Sequence, residues 1–277
     1  MTRGAVSTRL SERDWEILAT VRAFRFLTTR QLSRQHFGLT EPDAVIPRTA
    51  NSALARLRAL GLLVNLDRRI GGVRAGSGGH VWQLTDLGNR LLAEHLGEAT
   101  GARVRPSEPS TTFLDHTLAI AELVITLQDS TRSGVTIERL QAEPECWRTH
   151  LGSAGEPRTL KPDLASVSQC GEFTDFYFWE VDRSTEAPNR VVKKCLQYQQ
   201  YRDTGAEQRL HGLFPAVVWV VPHPRRREQL ERHLAAETRF DQRLFTVIEL
   251  GQVTDLVRYG ADHYKQQQGG LKGGEPS

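Results

Sequence analysis

Six consecutive apolar residues, Ala216–Val221 (AVVWVV), bounded by Pro215 and Pro222, constrain this chain more than any other stretch. The run is too short for a membrane span or a buried helix, and its valine content is that of a strand. A strand apolar at every position buries both of its faces, so helices must cover its sheet from two sides. The neighbouring segments supply them. From residue 113 the chain reads as a long helix (FLDHTLAIAELVITLQDS) and three strands (VTIERLQAE, LKPDLASVSQ, FTDFYFWEVD). A helix (NRVVKKCLQYQQYRD), the apolar strand, a helix (PRRREQLERHLAAE), a strand (LFTVIEL) and a closing helix (TDLVRYGADHYKQ) follow. The order α-β-β-β-α-β-α-β-α predicts a mixed sheet between helices over 113–267, with a polar, disordered tail at 268–277.

Residues 1–98 follow a different plan. Ser11 with Asp14 is an N-cap pair ahead of an apolar stripe at Trp15, Leu18, Val21 and Phe24. Thr28 or Thr29 opens a short second helix that stops at Gly38, and a third runs from about Arg48 to Leu60, closed by Gly61. The strand LLVNLDRRI, the loop GGVRAGSGG and the strand HVWQLTDLG then form a hairpin, and Thr85 caps a closing helix. Three helices followed by a β-hairpin predict a winged helix-turn-helix domain that binds double-stranded DNA. Residues 99–112, rich in glycine, proline, serine and threonine, read as a linker. The expected fold class is therefore α+β: a winged helix-turn-helix followed by an α/β domain.

Charge agrees with this division. Residues 1–105 hold sixteen arginines, no lysine and nine acids, a net of +7 within a whole-chain +3, which leaves −4 on the remainder. Arginine as the only cation suits a polyanion, because guanidinium forks phosphates and guanine edges in two-point contacts. On the third helix Arg48, Asn51, Ser52, Arg56 and Arg58 are the expected major-groove contacts, and Arg68, Arg69 and Arg74 the expected wing contacts. Such a domain also serves as a protein-docking module elsewhere, and that alternative stays open. No apolar run reaches membrane-spanning length, and the N-terminal stretch lacks the apolar core of a signal peptide; the expectation is a cytoplasmic protein with no membrane partner. Three cysteines without CxxC spacing support neither a disulfide framework nor a zinc site.

In the second half, Pro162-Asp163 opens one strand and Glu180-Val181-Asp182 ends the next. Alternation puts Glu180 and Asp182 on one face, and antiparallel pairing brings Asp163 beside Glu180. Carboxylates converging at strand ends are what a hard divalent cation needs. Here the chain resembles the PD-(D/E)xK nuclease superfamily, whose α-β-β-β-α-β core matches residues 113–221. The resemblance implies magnesium on Asp163 and Glu180 and a lysine that activates the attacking water. Asp182 stands where that lysine belongs; Lys193 or Lys194 on the following helix takes its place, as in some members, and Glu122 and His116 on the opening helix complete the implied site. Lys193, Lys194, Arg190 and Arg225–Arg227 offer local positive charge for a groove. Tyr198 and Tyr201 lack the histidine triad of a tyrosine relaxase.

Over roughly residues 10–225 the chain also resembles the replication-relaxation family of plasmids and mobile elements in Gram-positive bacteria. The resemblance rests on TxxQL in the second helix, FLDHTLAIAEL, LKPDL, FWEVDRSTE and KKCLQYQQY, with Asp163, Glu180, Asp182 and Lys194 as matched positions. It implies a role in plasmid replication, mobilisation or DNA relaxation, with replication or mobilisation proteins as partners and a homodimer as a compatible assembly. The alternatives are a non-enzymatic winged-helix regulator whose second domain serves assembly, and a restriction-type defence nuclease.

Overall fold

A computed structural model describes residues 6–40, 44–66, 80–99, 108–152 and 154–262. The expected wing arginines Arg68, Arg69 and Arg74, most of the linker and the tail from 268 lie outside these residues. The chain divides into two compact units, Met1–Ile125 and Thr126–Ser277.

In the first unit, helices α1 (Glu12–Phe24), α2 (Thr29–His36) and α3 (Arg48–Ala59) precede strands β2 (Leu63–Asn65) and β3 (Val81–Leu84), and α4 (Asp86–His95) follows. Ser11 and Asp14 close a capping box on α1, as Thr28 and Gln31 do on α2, and Thr85 caps α4. A two-residue strand β1 (Leu27–Thr28) joins the hairpin in the order β1-β3-β2. Leu18, Leu32, Leu54, Leu57 and Leu63 form the core. Gly88 lets α4 lie against β2, since a Cβ there would stand 2.3 Å from the Leu62 carbonyl oxygen.

Helix α5 (Thr111–Asp129) crosses the division: its residues through Ile125 belong to the first unit. This differs from the expectation of a second domain that opens with this helix at residue 113. Leu114 and Leu118 pack with Phe26, Leu66 and Val81, and the Gln31 amide donates to the Leu118 carbonyl at 2.9 Å. An apolar stripe facing this core outweighs the linker composition that precedes it.

The second unit is a five-stranded mixed sheet ordered β10-β9-β8-β7-β4, comprising β4 (Thr136–Ala142), β7 (Leu164–Cys170), β8 (Phe173–Val181), β9 (Ala216–Val221) and β10 (Phe245–Glu249). β4–β7 and β7–β8 are antiparallel, whereas β8–β9 and β9–β10 are parallel. The apolar run is β9, an interior strand, as its composition requires. Helices α6 (Pro188–Asp203) and α8 (Pro224–Ala235) cover one face, where Phe178, Val217, Trp219 and Val247 meet Val191, Cys195, Tyr198 and Leu230. On the other face the Tyr177 hydroxyl donates to the Leu256 carbonyl of α9 (Val253–Tyr259). Two features were not expected: a separate hairpin, β5 (Arg148–Leu151) with β6 (Pro157–Leu160), between β4 and β7, and a short helix α7 (Ala206–His211) after α6.

Candidate functional site

Asp163 stands immediately before β7 and Glu180 one residue from the end of β8. The register pairs Leu164 with Trp179, so the two carboxylates are neighbours on adjacent strands. The Asp163 backbone N–H donates to the Trp179 carbonyl (3.1 Å), and the Val181 N–H donates to Asp163 Oδ2 (2.7 Å). Both acids are buried. Glu180 points towards α6, where Lys194 and Tyr198, one turn apart, share its Oε1: Lys194 Nζ lies 3.2 Å away and the Tyr198 hydroxyl donates at 2.5 Å. Lys194 Nζ also donates to the Lys161 carbonyl at 2.7 Å.

Burial, followed by the charge of Asp163, pushes the Glu180 carboxyl up to about 8. For Lys194 burial alone would favour loss of the proton, but Glu180 and Asp163 outweigh it and hold the ammonium above its ordinary range. Burial and Glu180 together keep the Tyr198 phenol protonated. The proton that Glu180 retains balances the two acids against the single lysine, and a bound cation would take that proton's place. Among the described residues no third histidine, cysteine, aspartate or glutamate joins them. Two carboxylates with waters and a bridging phosphate are a donor set that magnesium accepts.

The other residues singled out in this half stand elsewhere. Asp182 faces the same side as Glu180, as alternation requires, but its carboxylate belongs to α8. Arg226 Nε and Nη2 donate to Asp182 Oδ1 (2.9 Å) and Oδ2 (2.7 Å), and the Ser184 N–H donates to Oδ1 (2.7 Å). With both partners buried, this pair holds the loop between β8 and α6. Arg226 is thereby removed from the basic groove expected of Arg225–Arg227, while Arg227 pairs with Glu231 and Glu249. Lys193 is exposed on α6. Glu122 and His116 lie on the first-unit part of α5, where Glu122 is ion-paired to Arg34 and accepts from the Gln31 amide at 3.0 Å. Tyr198 and Tyr201 are buried, and both hydroxyls donate to carboxylates. The role of Tyr198 as a Glu180 partner was missed, although its i,i+4 spacing from Lys194 carried the signal.

In the first unit, Leu54 and Leu57 turn inward on α3 and leave Arg48, Asn51, Ser52, Arg56 and Arg58 exposed. Arg56 is tied to the buried Asp14, with Nη2 at 2.6 Å from Oδ1. Arg48 and Arg58 have no ion pair among the described residues.

Residues 18–217, most of the chain, match the family model described as replication-relaxation. The chain belongs to the replication-relaxation family. No curated protein matches this family member. A crystal structure of protein VC1899 from Vibrio cholerae aligns over 95% of the chain at 12% identity with a TM-score of 0.31, and the chain spans 54% of that protein. No helix among the described residues is long and apolar enough to cross a membrane.

Proposed function

We propose that this replication-relaxation protein acts on the DNA of a plasmid or integrated mobile element, in its replication, mobilisation or relaxation. The first unit binds duplex DNA as a winged helix-turn-helix, and the second cleaves phosphodiesters in the manner of a PD-(D/E)xK nuclease. The observation that carries the cleavage reading is the convergence of Asp163, Glu180 and Lys194 at one end of the sheet. Supporting the DNA-binding reading are the element order of the first unit and the exposed Arg48, Asn51, Ser52 and Arg58 on α3.

Asp163 and Glu180 would hold a magnesium ion, which when bound would supply Lewis-acid charge to the phosphoryl oxygens. Lys194 works as a cation rather than a base, because its neighbours hold its proton. Anchored by Glu180 and the Lys161 carbonyl, it orients the attacking water and offsets charge gathering on the phosphate. The water oxygen bonds to phosphorus as the P–O bond to the leaving sugar oxygen breaks; the water's proton goes to solvent, and the sugar oxygen takes one up. Tyr198, through Glu180, positions the carboxylate. Lys194 on α6 thus takes the place left by Asp182.

The test is nicking of supercoiled plasmid with magnesium. Wild type converts it to open circle, Asp163→Ala does not, and equal behaviour of the two defeats the cleavage reading. The net −4 on residues 106–277 favours a second reading, a winged-helix regulator. Site-specific duplex binding by a protein that never nicks supports that one.

A further inference from the structure

Strands β4 and β7 are adjacent and antiparallel, with Ala142 opposite Leu164, so a two-residue turn could join them. The chain instead places residues 143–152 and 154–163 between them, including the β5–β6 hairpin, and this stretch ends at Asp163. At the base of this insertion Trp147 is 36% exposed. Its ring is held in place: the indole N–H donates to Glu143 Oε1 at 3.2 Å, and the Trp147 backbone N–H donates to the Pro144 carbonyl at 3.1 Å. Lys161 Nζ lies 4.1 Å from the ring centroid, and the carbonyl of the same residue accepts from Lys194. One lysine therefore links the exposed indole to the cation of the candidate site. Leu151, farther along the hairpin, is also exposed.

We propose that Trp147 is a stacking platform for an unpaired DNA base, seated with Lys161 next to the phosphate at Asp163 and Glu180. The inference rests on reading that site as one that takes DNA. A fixed, partly exposed indole offers a π-face, and the cation over it matches the phosphate that accompanies any base. In duplex DNA each base is stacked between its neighbours and has no face to offer, so such a platform selects single-stranded or locally opened DNA. A base taking this face displaces the Lys161 ammonium, which then pairs with the phosphate of the same nucleotide.

The experiment uses the full chain with calcium in place of magnesium, so that the carboxylate pair is filled and cleavage is suppressed, and measures fluorescence anisotropy with labelled oligothymidylate and a duplex of equal length. Trp147→Ala is expected to weaken oligothymidylate binding by about 5- to 150-fold, the range of one lost base stack. Trp147→Phe retains most of the affinity, and both variants bind the duplex as wild type does. Unchanged oligothymidylate binding by Trp147→Ala, or an equal loss on both DNAs, overturns the proposal. A second measurement needs no variant: an oligonucleotide carrying 2-aminopurine loses fluorescence on binding wild type if a base stacks on the indole, and unchanged fluorescence again overturns it. The two readings fail separately. Nicking without these oligothymidylate effects removes the platform alone, whereas the effects without nicking remove the cleavage reading alone.

Discussion

With its carboxyl pushed up to about 8 by burial and by Asp163, Glu180 is protonated at neutral pH in the metal-free protein. Its folded-state value lies above the unfolded 4.5, so the group favours the folded state below that value. The contribution is lost as pH rises from there to about 8, because the unfolded chain ionises first. Glu180→Gln, which copies the protonated form, should match wild type in thermal unfolding near pH 5 in EDTA. Near pH 8 it should be the more stable by a few kcal/mol. Parallel melting curves across this range would show that Glu180 is not held in this way. At Asp182 the expected outcome is different in kind. Asp182→Ala leaves Arg226 buried without its partner and should lower stability by about 3–5 kcal/mol in urea unfolding. An unchanged urea midpoint would contradict the structural role given to this pair.

Helix α3 divides its arginines between two duties, and substitution should separate them. Arg48→Ala and Arg58→Ala should weaken duplex binding and each reduce the salt slope by about one, with thermal unfolding unchanged. Arg56→Ala instead removes the partner of the buried Asp14, so it should lower the melting temperature as well. Loss of binding by Arg56→Ala alone, with Arg48 and Arg58 silent, would contradict this division. Elements with strong local signals were legible in the sequence: Ser11, Thr28 and Thr85 cap their helices as read, and AVVWVV is an interior strand. The β5–β6 hairpin was not, because RTHL and PRTL are short and mostly solvent-facing, and neither shows an apolar alternation. Asp163 beside Glu180 followed from strand alternation and pairing. The choice of Lys194 over Lys193, and the capture of Asp182 by Arg226, depend on how α6 and α8 pack, which local sequence does not encode.

Across the whole molecule, the first unit carries sixteen basic and twelve acidic residues, a net of +4, and the second twenty and twenty-one, a net of −1, so the two units contribute unequally to DNA affinity. Duplex binding by the full chain should fall steeply with added salt through the arginines of the first half. A flat salt dependence would contradict that assignment. The second unit has no net positive charge to draw a phosphate, and the Asp163–Glu180 pair is where a cation would supply it. Titration calorimetry of the DNA-free full chain with manganese at pH 8 measures this requirement most directly. Wild type is predicted to bind the ion at this pair, with a heat that Asp163→Ala and Glu180→Gln both abolish. No binding by wild type, or the same binding in all three proteins, would contradict the account.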